Sequence, residues 1–245
     1  MNRTLVIGDI HGGLLAVHQL FERAKVTQND TLIFLGDYVD GWSQSVEVID
    51  FLIKISKQQK TILLRGNHDQ LVLDWLQGNT ENFDEKMWFK HGGEATSKAY
   101  SLVTDQKKQQ HIAFLKSLQD YYLDENNRLF VHAGFSNMTG VKNEYFTETF
   151  YWDRTLWEMA LSLDLNLPKT HPFYPKRLLL YHEVYIGHKN EKKIGQTIPI
   201  NKACVWNIDT GAAFKGVVTI MDVDTKKYWQ SDPLPEIYPT EKGRN

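Results

Sequence analysis

The sequence predicts an α/β fold with a parallel sheet in its first half. Two observations carry this. Apolar, β-branched runs of strand length alternate with segments of helical periodicity over roughly the first seventy residues. Each run also ends abruptly in glycine beside acidic, amide or imidazole side chains. Open α/β sheets place their chemistry at such carboxyl ends.

The first strand is Leu5-Val-Ile7, ending in Gly8-Asp9-Ile10-His11-Gly12-Gly13. Leu14, Val17, Leu20, Phe21 and Ala24 recur at helical spacing, and Asn29-Asp30 marks a turn. The second strand, Thr31 to Leu35, ends in Gly36-Asp37-Tyr-Val-Asp40. Ser43 or Ser45 is placed to cap a helix with Val46, Ile49, Leu52 and Ile53 on its apolar face. Thr61 to Leu64 is the third strand and runs into Arg65-Gly66-Asn67-His68-Asp69. This is a βαβαβ unit with a parallel sheet.

Residues 70 to 120 read as mainly helical. Tyr121-Tyr-Leu123 and Arg128-Leu-Phe-Val131 flank Asp124-Glu-Asn-Asn127 and read as a hairpin whose second strand enters His132-Ala133-Gly134. Tyr151-Trp-Asp-Arg154 opens a further helical stretch. Residues 164 to 178, with Pro168, Pro172 and Pro175, read as an irregular loop. Val184-Tyr-Ile186 ends in Gly187-His188. Cys204 to Ile208, Gly216 to Met221 and Lys227 to Trp229 read as antiparallel strands. The expected organisation is one domain over 1–232, followed by a loose, Pro-rich and charged segment over 233–245.

Composition narrows the partners. A net charge of −2 gives no basic excess for an obligate nucleic-acid partner. No run approaches the ~20 apolar residues of a membrane span. Cys204 is the single cysteine, so no internal disulfide forms. A soluble, cytoplasmic location is the expectation; oligomeric state is not legible.

Five apolar runs thus end in metal-competent groups: Asp9 and His11, Asp37, Asn67 and His68, His132, and His188. A lone buried histidine is more often a hydrogen-bonded core residue than a ligand. Five strand ends carrying such groups beside glycine are hard to explain by packing. The set is oxygen and imidazole nitrogen without thiolate, which favours Mn²⁺, Fe or Zn²⁺ over a Cys-type structural zinc site. The donors exceed one tetrahedral shell, so two divalent ions are expected, leaving a positive surplus that suits an anion such as phosphate.

Gly8-Asp-Ile-His-Gly12, Gly36-Asp-Tyr-Val-Asp40, Gly66-Asn-His-Asp69, His132-Ala-Gly134 and Gly187-His188 resemble, in order, the motifs of the phosphoprotein phosphatase family, within the calcineurin-like metallophosphoesterases. Asn207-Ile-Asp-Thr-Gly-Ala-Ala-Phe214 and His-Ala-Gly are similar to the bacterial and phage serine/threonine phosphatase branch, which includes symmetrical diadenosine tetraphosphatases. The resemblance implies a four-layer sandwich of two mixed sheets flanked by helices. It implies that Asp9 and His11 hold a first metal, that Asp37 bridges, and that Asn67, His132 and His188 complete a second, with Mn²⁺ the expected ion. His68 would protonate the leaving alkoxide with Asp40 orienting it, as an imidazolium steadied by a carboxylate can. Many members of the wider superfamily carry a further histidine two residues after the one matching His188; here that position is Asn190.

One departure stands out. The family usually has Asp-Arg-Gly in its second motif, the arginine clamping phosphate; this chain has Asp40-Gly41-Trp42. Arg154 lies where bacterial relatives place a second phosphate-binding arginine. Lys189 and Arg65 are further candidates, alternatively a solvated lysine and a structural ion-pairing arginine. Trp42 is either a groove aromatic or a half-buried packing residue. The expected activity is metal-dependent hydrolysis of phosphomonoesters on a phosphoprotein or small phosphoester by an activated water. The alternatives are hydrolysis of diadenosine tetraphosphate and, given Gly41, a non-catalytic phosphate- or partner-binding module.

Overall fold

The structure, a computed structural model, describes residues 2–79, 81, 83–189 and 197–244. Asn190 therefore lies outside the described residues. In chain order the first strands and helices are β1 (Thr4–Ile7), α1 (Leu14–Ala24), β2 (Thr31–Phe34), α2 (Ser45–Ile55), β3 (Thr61–Leu63) and α3 (Asn67–Gln77). Then come α4 (Glu85–Trp88), a π turn at Phe89–Gly93, α5 (Glu94–Tyr100) and α6 (Asp105–Lys116). Strands β4 (Tyr121–Leu123) and β5 (Arg128–Val131) precede α7 (Thr149–Trp152) and α8 (Thr155–Ser162). The chain continues through β6 (Glu183–Ile186), β7 (Ile200–Lys202), β8 (Val205–Asn207), β9 (Thr219–Asp222), β10 (Tyr228–Gln230) and α9 (Leu234–Ile237).

These strands form two five-stranded sheets, ordered β10-β9-β1-β2-β3 and β4-β5-β6-β8-β7. The expected parallel β1-β2-β3 core is present, with Val6 opposite Ile33 and Ile33 opposite Ile62. Alternate residues face opposite ways. Val6, Ile33 and Met221 of the first sheet pack into one cluster with Phe130 and Tyr185 of the second. Leu5, Ile7, Leu32 and Phe34 instead meet α1 and α2, through Val17, Leu20, Ile49 and Leu52. Leu129, Val131, Val184 and Ile186 meet Leu156 and Trp157 of α8. The layering is helix, sheet, sheet, helix, as the resemblance implies. A one-residue slip in β2 would trade Phe34, fully buried against helices, for a residue of the inter-sheet face.

Two local expectations differ. Residues 205–207 pair in parallel with β6 and antiparallel only with β7, so the last strands split between the two sheets. The other two, β9 and β10, are antiparallel as expected and flank β1. Neither Ser43 nor Ser45 caps α2: its flanking residue is Gln44, without a side-chain cap. Ser45 Oγ instead accepts from the Asp40 amide at 3.2 Å, and Ser43 donates to Glu241.

The segment after Pro233 is not loose. Leu234 and Tyr238, one helical turn apart, are buried at 0% and 6% exposure. Tyr238 stacks on Trp42 at 5.3 Å and accepts the Leu15 amide, Glu241 accepts from Ser43, and the Arg244 amide donates to Ala213 O at 2.8 Å. Two apolar anchors and a ladder of polar ties outweigh the Pro-rich, charged composition.

Candidate metal and phosphate site

The site forms where β1, β2, β3, β5 and β6 end. Asp9 and His11 follow β1, Asp37 and Asp40 follow β2, Asn67 and His68 open α3, His132 follows β5 and His188 follows β6. All are nine-tenths buried or more except His188, which is part-buried. Four of these residues hold left-handed backbone: His11 (φ 52°), Asp37 (53°), Asp40 (69°) and His188 (66°). Strain of this kind in side-chain-bearing residues clusters at functional sites. Gly66 shows why glycine borders them: a Cβ there would fall onto the Asp37 amide and Oδ1.

Backbone carbonyls orient two of the imidazoles. His11 Nδ1 sits 3.1 and 3.0 Å from the carbonyls of Val39 and Asp40, and His132 Nδ1 sits 2.9 Å from that of Leu35. A carbonyl only accepts, so each Nδ1 carries hydrogen and each Nε2 is turned inward. His11 Nε2 lies 3.7 Å from Asp9 Oδ2 and 3.6 Å from Asp37 Oδ2. His132 Nε2 lies 3.5 Å from Asp37 Oδ1 and 3.2 Å from Asn67 Oδ1, which also faces His188 Nδ1 at 2.9 Å. Donor atoms of His11, Asp37 and His68 lie within 4.8 Å of one another, and so do those of Asp37, His132 and His188. Asp37 belongs to both groups. Lone pairs of imidazole, carboxylate and amide oxygen converge there, an arrangement that a proton or a cation relieves. The hard-to-borderline donor set fits divalent cations.

Electrostatics follow from burial and from Asp37. Burial opposes the charged Asp37, but His132, His68 and His11 outweigh it and hold the carboxyl well below its ordinary range. Burial also opposes a charged His132, yet Asp37 prevails and raises it to about 9. For His68 burial wins and lowers the imidazole, although Asp37 and Asp40 favour its charge.

His68 and Asp40 are paired as expected. His68 Nδ1 lies 2.7 Å from Asp40 Oδ2, and Trp88 Nε1 donates to the same oxygen at 2.7 Å. The Asp40 amide donates to Thr96 Oγ1 at 3.0 Å. Asp69 joins the two loops: its carboxylate accepts the amides of Asp37 (2.8 Å), Tyr38 (2.9 Å) and Gly66 (2.8 Å). Burial and the Asp37 charge push the Asp69 carboxyl up to about 7, against those donors. Trp88 and Thr96 carry no local motif, whereas Asp69 is visible only as a neighbour of His68.

A cavity of about 430 Å³ opens on this cluster, lined by Asp37, Asn67, His68 and His188 together with Leu71, Phe83, Asp84, Met87, Trp88, His91, Trp152, Arg154 and Arg244. Arg154 thus stands at the cavity. Arg65 does not: its guanidinium is held by Gln70 Oε1 at 2.7 Å, Leu118 O at 3.3 Å and Asp120 at 3.6 Å, which is the structural alternative. Lys189 is turned to Glu158 rather than to the cavity lining. Trp42 is fully buried, donating Nε1 to Ala212 O at 2.7 Å, so it is a packing residue and lines no groove.

Residues 2–196 match the calcineurin-like phosphoesterase family, and the chain belongs to that family. It is 28% identical over 159 residues to an asymmetrical bis(5′-nucleosyl)-tetraphosphatase of Oceanobacillus iheyensis, covering 59% of this chain and 61% of that one. Over 75 residues it is 42% identical to a Caenorhabditis elegans protein provisionally named a serine/threonine-protein phosphatase, covering 30% of this chain and 21% of that one. The chain therefore aligns with less than two thirds of the length of either relative. Among solved structures it is similar to one provisionally identified as a diadenosine tetraphosphatase (TM-score 0.62, 18% identity, covering 94% and 92%). It is equally similar in fold to a serine/threonine phosphatase of Saccharomyces cerevisiae (TM-score 0.62, 15% identity, covering 94% and 80%). Among the described residues no helix is long and apolar enough to cross a membrane.

Proposed function

We propose that this chain hydrolyses phosphomonoesters at a dinuclear divalent-metal site, as a serine/threonine protein phosphatase-like enzyme, with Mn²⁺ as the working ion. The observation that carries this is the paired aim of His11 and His132: each Nδ1 is spent on a backbone carbonyl and each Nε2 is turned on the shared carboxylate of Asp37. Asp9, His11 and Asp37 would hold one ion, and Asp37, Asn67, His132 and His188 the other. Two such ions would lower the pKa of a water and polarise the phosphoryl oxygen.

The remaining work falls to the chain. His68 Nδ1–H donates to Asp40, which leaves Nε2 to give a proton to the departing alkoxide oxygen. Asp40, steadied by Trp88 and Thr96, keeps the ring in that orientation. Arg154 at the cavity meets the substrate phosphate.

The test is a rate comparison with Mn²⁺ across phosphoserine, phosphothreonine and phosphotyrosine peptides, diadenosine tetraphosphate and para-nitrophenyl phosphate. His68→Asn should keep metal content and lower turnover of the phosphoserine peptide about 10²–10⁴-fold, with a smaller loss on para-nitrophenyl phosphate, whose leaving group needs little protonation. Unchanged peptide rates would remove His68 as the acid. No turnover of any substrate by metal-loaded protein would instead make the chain a binding module.

A second reading, hydrolysis of dinucleoside polyphosphates, draws on Trp152, which is 44% exposed and lines the cavity with Phe83 and Met87. An exposed indole beside phosphate-binding groups suits a stacked base. Trp152→Ala raising KM for diadenosine tetraphosphate alone would favour it.

A further inference from the structure

The residue after Asp40 has a backbone that leaves little room for a side chain. Gly41 has φ 119°, outside the range that L-residues readily adopt, and its amide donates to Gly92 O at 3.1 Å. The space over it is bordered by the His11 carbonyl and by the side-chain stem of a cation. Arg244 Cγ lies 3.5 Å from where a Cβ on Gly41 would stand, and 2.8 Å from where one on Gly92 would stand. Gly243 makes the approach possible: its φ is 59°, and a Cβ there would press to 2.8 Å on Trp42 Cζ2. Three glycines from distant parts of the chain clear one path, and Arg244 occupies it.

The guanidinium at the end of that path meets a ring and an imidazole. It lies over the Phe214 ring at 5.2 Å, and Nη2 is 3.4 Å from His91 Nδ1. Nε is buried without a hydrogen-bond partner. Among the described residues no carboxylate pairs with it. Burying part of a cation unpaired is unfavourable by itself. Arg244 nevertheless lines the same cavity as Asp37, Asn67, His68 and Arg154; Asp84 lines it too, with its Oδ1 accepting the Met87 amide at 3.0 Å. The segment carrying it is anchored by Leu234, by the Tyr238–Trp42 stack and by the Ser43–Glu241 hydrogen bonds, so the side chain is delivered to the cavity and does not merely drift there.

We propose that Arg244, reaching over Gly41, binds a phosphoryl oxygen of the substrate and replaces the clamp that a side chain at residue 41 cannot supply. Naming the anion as phosphoryl rests on the phosphoesterase reading above. The planar fork can present two N–H groups to one phosphate, and Phe214 holds the fork in place. Arg154 approaches the cavity from the start of α8, so the anion would meet two guanidinium groups from different elements.

The test uses Mn²⁺-loaded protein and the variant Arg244→Met, which keeps an unbranched apolar stem for the packing on Gly41 and Phe214 and removes the charge. Inorganic phosphate is the probe, by calorimetric titration and as a competitive inhibitor. We expect the phosphate Kd to rise at least about tenfold and kcat/KM to fall about 30-fold or more. Equal falls on a phosphothreonine peptide and on diadenosine tetraphosphate place Arg244 on the reacting phosphoryl group. A fall confined to the dinucleotide places it on another phosphate of the polyphosphate chain. Should the methionine variant melt early, Arg244→Lys carries the test: a phosphate Kd raised several-fold over wild type at an unchanged Tm supports the assignment, and a Kd within twofold of wild type overturns it. If the wild type turns over substrate and Arg244→Met shifts neither constant more than twofold, the assignment is wrong while the phosphoesterase reading stands. If no substrate is turned over but phosphate affinity still falls with Arg244→Met, the phosphoesterase reading fails and the anion site remains.

Discussion

Replacing Asp69 by alanine should unfasten two loops at once. The carboxylate accepts three buried amides, those of Asp37, Tyr38 and Gly66, at 2.8, 2.9 and 2.8 Å. Alanine offers none of them an acceptor, whatever the protonation of the acid it replaces. An unsatisfied buried N–H is unfavourable by about 1–3 kcal/mol, so three set an upper range of roughly 3–9 kcal/mol. Water entering the vacated space would return part of this, and about 3–5 kcal/mol is the expected loss. For a chain of this size each 1 kcal/mol moves Tm by about 2–4 °C, which predicts a fall near 10 °C in metal-free protein by scanning calorimetry. Asp69→Asn keeps one acceptor oxygen and should fall between. The same change frees the amide that helps hold Asp37 at φ 53°, so Mn²⁺ affinity should drop as well. A Tm within about 3 °C of wild type would refute the idea that Asp69 couples the loops, because three lost partners cannot be absorbed so cheaply.

Trp88→Phe removes one of the two donors on Asp40 Oδ2 and should lower kcat about tenfold with little change in KM; unchanged kcat in steady-state assays would show that Asp40 needs only His68. Tyr238→Ala removes the stack on Trp42 and the bond from the Leu15 amide, and should destabilise by about 3–4 kcal/mol in urea titrations. Burial opposes a charged Asp30, but Arg3 and the Thr27 amide outweigh it and hold the carboxyl at about 2. A depressed carboxyl stabilises above its unfolded value near 4 and loses that contribution as pH falls toward 2, so Asp30→Asn should be less stable at pH 7 by about 1–2 kcal/mol, allowing for the partly exposed Arg3. Melting curves should show the gap closing by pH 2–3; a gap independent of pH would assign the effect to packing.

What was legible in the sequence was local. A strand that runs apolar and ends in Gly-Asp or Gly-Asn-His carries both its element and its site residue within a few positions, so β1 to β3 and Asp9, His11, Asp37, Asn67 and His68 could be located by reading along the chain. Pairing could not. Residues 205–207 have strand composition, but their parallel partner β6 and antiparallel partner β7 follow from how the second sheet is assembled. The same limit divides the site. Asp40 draws its support from Trp88 and Thr96, 48 and 56 residues away, and neither sits in a motif. The segment after Pro233 reads as loose because its apolar anchors, Leu234 and Tyr238, are too few to form a periodic pattern, although both find buried seats. Gly41 is the sharpest instance. Its motif announces a missing side chain, since the neighbouring residues say what would ordinarily stand there. The arginine whose stem passes over the same position, Arg244, comes from a distant part of the chain, where composition marks nothing. A local pattern can therefore expose a gap in a site, while what stands beside that gap is decided by packing: here by three glycines, a tryptophan–tyrosine stack and one arginine whose buried Nε has no hydrogen-bond partner among the described residues.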